Sequence, residues 1–415
     1  MTHASTRAGG PHVLIVVQNM SVPLDRRVWL ECQTLRTAGY RVSVICPRGK
    51  NDAAYDEIDG VQIHRYAPPP AARGVLAYGL EFAYCWLRAA ALAWRIHRAE
   101  PLDVIQGCNP PDTYWALARL FRRAGVRFVF DHHDLCPELY DSKPGEPSRW
   151  VSAMLRWLER RTFATADLVL TTNESYRSRA SGRTGRPVDE IVIVRSGPDP
   201  DRMQPGEPVP ELRHGRPHLV CYLGLMNPQD GVDVVVRVAD HVVHSLGRTD
   251  IHFALLGDGD CGADLRRLAT ELELDDYVTF TGLVGSDDIK RWLSTADVGL
   301  SPDPYTPFND VSTMNKTLEY MAYELPTVAY RLTETVVSAG PAGEYVESSD
   351  DPDADARRFA DALVALIDDP DRRATMGKLG RERIEQGLGW PASAAAYLGA
   401  YDRLTLRLAG IDTAA

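Results

Sequence analysis

The segment NDVSTMNKTLEYMAYELPTVAY, residues 309–330, gathers the residue types that handle a polyanion. Wound at ~3.6 residues per turn, Ser312, Asn315, Lys316 and Glu319 share one helical face and Met314, Leu318, Met321 and Leu325 take the opposite one. The apolar face would pack on a sheet. The other would carry a cation and a carboxylate close to a helix start, whose unpaired N–H groups attract anions. A nucleotide diphosphate suits it, with Lys316 and the amides on the phosphates and Glu319 accepting from ribose hydroxyls. A solvated face with an ordinary Lys/Glu pair is the plainer alternative. Lysine is scarce: Lys50, Lys143, Lys290, Lys316 and Lys378 complete the set, so a working lysine has few candidates.

A second cluster lies in FVFDHHDLCPELY, residues 128–140. His133 follows a short apolar run, with His132 beside it and Asp131, Asp134 and Glu138 close in sequence. Neighbouring carboxylates tune a histidine near neutrality, where it can hydrogen-bond a developing charge; a structural hydrogen bond is the plainer role. Asn109, Pro110, Pro111 and Asp112 follow another apolar run and are candidates for the acceptor side of a site. Arg26 and Arg27 could reach an anionic acceptor, or could simply open a solvated helix. The turn after Val17 lacks G-x-G-x-x-G, which argues against a dinucleotide dehydrogenase.

These residues need a scaffold, and the periodicity supplies one. Apolar runs at 13–17, 42–46, 104–106, 128–130 and 168–171 alternate with helical patterns, the mark of a mostly parallel sheet covered on both faces. A stretch rich in proline, glycine and charge, 198–217, reads as a linker. The alternation then restarts at 219–223, 252–256, 277–280 and 298–300. The expectation is an α/β protein of two doubly wound halves: an N-terminal domain 1–197, a C-terminal domain 218–388, and a last helix within 389–415 returning to the first domain. Ligands of such sheets bind at the carboxyl ends of the strands.

Composition narrows the function. At 415 residues the chain exceeds the usual ~100–200 residues per domain. A net charge of -11 gives no electrostatic footprint for wrapping nucleic acid. The seven cysteines are scattered and never spaced as metal or redox pairs, as in a reducing cytosol. No metal site is expected, Asp258 and Asp260 being a weak loop pair. The first ten residues lack an apolar leader, and the most apolar stretch, 75–96, is broken by Glu81, Arg88 and Arg95. That stretch carries Phe82, Tyr84, Trp86 and Trp94 beside basic residues, so two placements stay open: a buried helix, or peripheral contact with the inner membrane face near a lipid-linked acceptor.

The order of these motifs over 13–404 resembles the family 4 glycosyltransferases. The resemblance implies the GT-B architecture, two Rossmann-like domains facing across a cleft. It also implies transfer, with retention of configuration, from a UDP- or GDP-linked sugar to a sugar, lipid-linked or small-molecule acceptor, with no cofactor besides that co-substrate. In LEYMAYELPTVAY, Glu319 is the second glutamate of the family helix and Glu324 stands where glycine is usual. The first glutamate falls at Val311, and the nearest acid, Asp310, is assigned its role. In YLGLMNPQDGVD, Leu225 or Met226 stands near the place of the family's phosphate-binding arginine and Asp230 at that of its lysine. A subset with PQDG and MNK texts looks similar, which makes Lys316, with the amides around Gly224 and Gly231, the substitute clamp. His133 matches the family histidine that points at the transferred sugar. A nucleotide-sugar epimerase of the same architecture and a non-catalytic nucleotide-sugar-binding protein are the alternatives.

Overall fold

The computed structural model describes residues 10–69, 75–142, 147–349 and 351–408; the polar opening stretch 1–9 lies outside them. The chain divides into two compact units. Unit 1 is built from residues 1–141, 145–194 and 394–415, and unit 2 from 142–144 and 195–393.

Unit 1 is an eight-stranded sheet of β1 (His12–Val16), β2 (Arg41–Pro47), β3 (Tyr55–Ile58), β4 (Val61–Tyr66), β5 (Val104–Cys108), β6 (Arg127–His132), β7 (Leu168–Thr171) and β8 (Ile191–Ile193). The order is β3-β4-β2-β1-β5-β6-β7-β8, all pairs parallel except β3–β4. Every residue of HVLIV in β1 is buried, because helices cover both faces of a parallel sheet. The antiparallel β3–β4 hairpin was not anticipated from the apolar runs. Its turn is Asp59–Gly60, both at positive φ (52° and 75°), the two-residue connection whose twist matches paired strands.

Unit 2 carries β9 (His218–Leu223), β10 (Ile251–Leu256), β11 (Val278–Gly282), β12 (Val298–Ser301), β13 (Thr327–Tyr330) and β14 (Gly343–Val346), in the order β11-β10-β9-β12-β13-β14, parallel throughout. Its core sets Val220, Phe253 and Leu300 of the sheet against the valine-rich helix Val232–Asp240 and the helix Pro352–Ile367. Residues 198–217 lie along this unit: Gly206 N donates to Ser294 Oγ (2.9 Å), Val209 N donates to Thr295 Oγ1 (2.9 Å), and Arg213 pairs with Asp297 (2.6 Å). Among the described residues no helix is long and apolar enough to cross a membrane.

In both units consecutive strands run outward from a first strand and then switch sides, between β1 and β5 in unit 1 and between β9 and β12 in unit 2. The crevice outside the carboxyl ends at such a switch is where open parallel sheets take ligands.

Candidate active site

In unit 2 the switch point is lined by the loops after β9 and β12 and by the helix Asn315–Ala322. Lys316 Nζ lies 2.5 Å from Asp303 Oδ1 and 5.4 Å from the centre of the Tyr222 ring. Asp303 Oδ2 accepts from Ser301 Oγ at 2.7 Å, and a Cβ placed on Gly224 would come within 3.2 Å of Lys316 Cε. Burial raises the carboxyl of Asp230 above its usual range, against the backbone N–H of Asn227 and the Lys316 charge, which lower it.

Two helices begin here on caps without a side-chain acceptor. The helix Val232–Asp240 starts on Gly231 (φ 63°), whose added Cβ would meet Pro302 O at 2.4 Å, and the helix Asn315–Ala322 starts on Met314. Each cap carbonyl accepts from the third amide of its helix, Val234 N (3.1 Å) and Thr317 N (3.0 Å), but no cap side chain accepts from the others, so both helix ends favour a negative group.

The single working face expected of Ser312, Asn315, Lys316 and Glu319 is not formed. The helix begins at Asn315, and Ser312 precedes it in extended backbone (φ -92°, ψ 135°) with its hydroxyl on Phe308 O at 2.7 Å. Asn315 is exposed, whereas Glu319 is buried and Lys316 nearly so. Nor does Asp310 stand in for the missing glutamate through a free carboxylate. Its two oxygens accept from Thr333 N (2.8 Å) and Thr333 Oγ1 (3.0 Å), and so cap the helix Thr333–Ala339. Periodicity missed Asp303 because it sits in a proline-flanked loop; the one hint was that a nearly buried lysine needs a counter-charge.

The position where the family carries glycine explains itself. Glu324 follows the helix end with φ 55°, the left-handed region. A side chain there costs ~1 kcal/mol relative to glycine. Glu324→Gly is therefore expected to raise the urea midpoint by about that stability with an unchanged m-value; a lower midpoint would show that the side chain is needed.

In unit 1 the polar residues surround Asp131, buried in β6. Arg27 Nη2 lies 2.7 Å from Asp131 Oδ1 and its Nε 3.1 Å from Oδ2, while Nη1 donates to Val194 O at 2.6 Å. His133 Nε2 is 2.5 Å from Asp131 Oδ2. Gln106 Nε2 donates to Glu31 Oε2 (2.7 Å), and Gln106 Oε1 accepts from the hydroxyls of Tyr397 (2.7 Å) and Tyr401 (2.6 Å).

Burial alone would raise Asp131, but Arg27 and His133 together hold it well below the usual carboxylate range. Burial and the Asp131 charge push Glu31 well above it, so one carboxyl of the pair keeps its proton. Ionised Asp131 can only accept, so His133 Nε2 donates and a neutral ring presents Nδ1 as an acceptor.

Arg27 is thus neither a solvated helix start nor an acceptor arm, since its guanidinium is committed to Asp131 and Val194. Arg26 is exposed. Asn109 does not reach outward: its Oδ1 accepts from His133 N (2.6 Å) and Asp134 N (3.1 Å), and its Nδ2 donates to Asp134 O (2.7 Å), which pins the histidine loop. Glu138 is engaged by Arg179 (3.1 Å) and Arg183. Cys108, Asp131 and His133 place one candidate metal-ligand atom each within 4.8 Å of one another, but Arg27 holds both Asp131 oxygens and sets a cation against a cation.

Asp112 is buried, and burial pushes its carboxyl up to about 6 despite the nearby His132. The folded pKa lies above the unfolded value, so the folded state binds the extra proton. This contribution to stability is complete below the unfolded pKa and is lost as pH rises through about 6. Asp112→Asn should flatten the wild-type loss between acid and neutral pH, by up to ~3 kcal/mol in urea titrations. Parallel curves for the two proteins would refute it.

Two Rossmann-like units in one chain, each with polar groups collected at the carboxyl ends of its strands, have the GT-B fold. Residues 24–197 match the glycosyl transferase 4-like domain and residues 217–369 the glycosyl transferases group 1 domain, so the chain belongs with the family 4-like enzymes. It is 26% identical to a D-inositol 3-phosphate glycosyltransferase of Kineococcus radiotolerans, over 95% of this chain and 91% of that protein. The sucrose-phosphate synthase of Thermosynechococcus elongatus shares the fold at TM-score 0.76 and 20% identity, covering 96% of this chain and 100% of the other. Anabaena Alr3699/HepE in complex with UDP-glucose does so at TM-score 0.66 and 14% identity, over 95% and 99% of the two chains. The epimerase and non-catalytic alternatives are not favoured by these matches.

Proposed function

We propose that this enzyme moves a hexosyl or related sugar, with retention of configuration and without a metal, from a UDP- or GDP-linked donor to a sugar, lipid-linked or small-molecule acceptor. The observation that carries the donor assignment is the pair of helix starts without a side-chain cap at Gly231 and Met314 with the ammonium of Lys316 beside them. Backbone N–H groups and one cation neutralise a leaving diphosphate without a divalent ion, which is electrostatic stabilisation by dipoles already in place. Gly224, Gly231, Asn315 and Lys316 serve the phosphates, with Ser312 near the helix start and Glu319 accepting from the ribose.

In unit 1, His133 serves the transferred sugar. Asp131 fixes its tautomer and Asn109 fixes its loop, both as positioning residues. Asp112 and Glu138 support the acceptor side through the same loops. Asp310 acts by capping the helix Thr333–Ala339. A PQDG and MNK variant of the family clamp is thereby a relocation of the positive charge to Lys316.

A panel of UDP- and GDP-sugars tested for thermal stabilisation decides the donor, since a ligand at a hundred times its Kd adds ~2.7 kcal/mol. NMR of the product's anomeric proton then reads the stereochemistry. A panel in which no nucleotide sugar raises the melting temperature, or an inverted product, would remove the corresponding part of this assignment.

A further inference from the structure

The outward side of the helices on one face of the unit 1 sheet has no part in the chemistry above. The helices Val75–Ala99, Tyr114–Phe121 and Arg149–Thr165 cover a single apolar cluster that includes Leu14, Phe128 and Phe130. Their other sides hold large apolar side chains in water. Trp150 is 87% exposed, Met154 51% and Trp157 48%, and their spacing of four and three residues sets them in one stripe of the helix Arg149–Thr165. The stripe continues onto the helix Tyr114–Phe121, where the ring of half-buried Trp115 lies 5.9 Å from that of Trp157.

The charge on this face is one-sided. RWVSAMLRWLERRTFAT carries Arg149, Arg156, Arg160 and Arg161, all exposed, and a single acid, Glu159, which is buried and bound by Arg183. The exposed side of that helix therefore shows no carboxylate, in a chain of net charge -11. Arg156 reaches Asp141 at 3.0 Å, while Arg161 lies over the Trp157 ring and Arg119 over that of Trp115. Tryptophan flanked by arginine suits the boundary between lipid headgroups and acyl chains, where the ring is half apolar and the guanidinium meets phosphate. A symmetric pairing of this face with a second copy would oppose arginine to arginine.

We propose that the face centred on the helix Arg149–Thr165 docks on an anionic lipid surface, with Trp150, Met154 and Trp157 entering the headgroup boundary and Arg149, Arg160 and Arg161 meeting lipid phosphates. The docking element is this shorter helix, distinct from the more apolar 75–96 stretch. It needs no transmembrane segment.

The test is co-sedimentation of the full-length chain with vesicles of phosphatidylcholine alone and of phosphatidylcholine mixed with phosphatidylglycerol. Binding is expected on the anionic vesicles and should fall with salt. The pairs Trp150→Ala with Trp157→Ala, and Arg149→Glu with Arg160→Glu, should each cut partitioning about tenfold or more. All four positions are exposed, so the melting temperature should stay unchanged and folding is checked in the same samples. Absence of binding to anionic vesicles, or variants that sediment like the wild type, overturns the proposal. So does a dimer in sedimentation velocity that the paired tryptophan variant abolishes, which would give the face to a second copy. Nucleotide binding measured without vesicles is a separate readout, so failure here leaves the donor site of unit 2 standing.

Discussion

Lys316→Ala is expected to weaken UDP or GDP binding by about ten- to a hundredfold in calorimetry while leaving the free nucleoside unaffected, since charge-assisted hydrogen bonds to phosphate carry ~1.5–3 kcal/mol each. Equal losses for the diphosphate and the nucleoside would remove the ammonium from the phosphates. The substitution has a second effect that must be separated from the first. Asp303 is buried and pairs with Lys316, so truncating the lysine strands a carboxylate at a cost of ~3–5 kcal/mol. Lys316→Met combined with Asp303→Asn replaces the ion pair by neutral groups. It should recover most of the melting temperature and none of the diphosphate affinity. Recovery of both would mean that Lys316 serves stability alone.

His133→Ala should lower the transfer rate by about 10²- to 10⁴-fold with donor affinity largely kept, the range for loss of a positioned acid–base or polar group. An unchanged kcat would end that assignment. Asp131→Asn is the more informative partner. It presents a group that can donate to Nε2 and so allows the wrong tautomer, which should reduce kcat nearly as much and reshape its pH profile. The fold should survive, because Glu31 lies 3.3 Å from Arg27 and, although burial still favours its protonated form, it loses the repulsion of the Asp131 charge and gains the guanidinium as its counter-ion. Adding Glu31→Gln removes the remaining anion next to Arg27 and should cost ~3–5 kcal/mol beyond the single variant. A double variant as stable as Asp131→Asn would show that the two carboxyls do not share one charge.

The parallel sheets were legible because strands buried on both faces leave continuous apolar runs, as in HVLIV and IHFALL. The β3–β4 hairpin escaped since YDEI is an exposed edge without such a run, although Asp59–Gly60 announced its turn. At the site, residue types pointed to Lys316 and His133, while their partners stayed hidden. Asp131 and Gln106 stand inside apolar strands, where an acid or an amide must find company across the fold, and the company comes from Arg27 and from Tyr397 and Tyr401 far along the chain. No local period encodes such pairings. The short loop that breaks the 309–322 segment before Asn315 likewise depends on Asn309, whose side chain donates to Gln229 O and Pro304 O, and not on helix propensity.

Unit 2 is threaded into unit 1: the chain leaves the first sheet after Val194 and rejoins that unit at Ala394. Its entry and exit are stitched together, with Arg195 N on Ser393 Oγ at 3.0 Å and Trp390 N on Pro198 O at 2.8 Å. The two phenols that complete the polar centre around Gln106 are thus synthesised only after the whole of unit 2. A nascent chain would carry every residue of unit 2 while its histidine-bearing half still lacked a wall, so the order of synthesis itself places completion of unit 1 after that of unit 2.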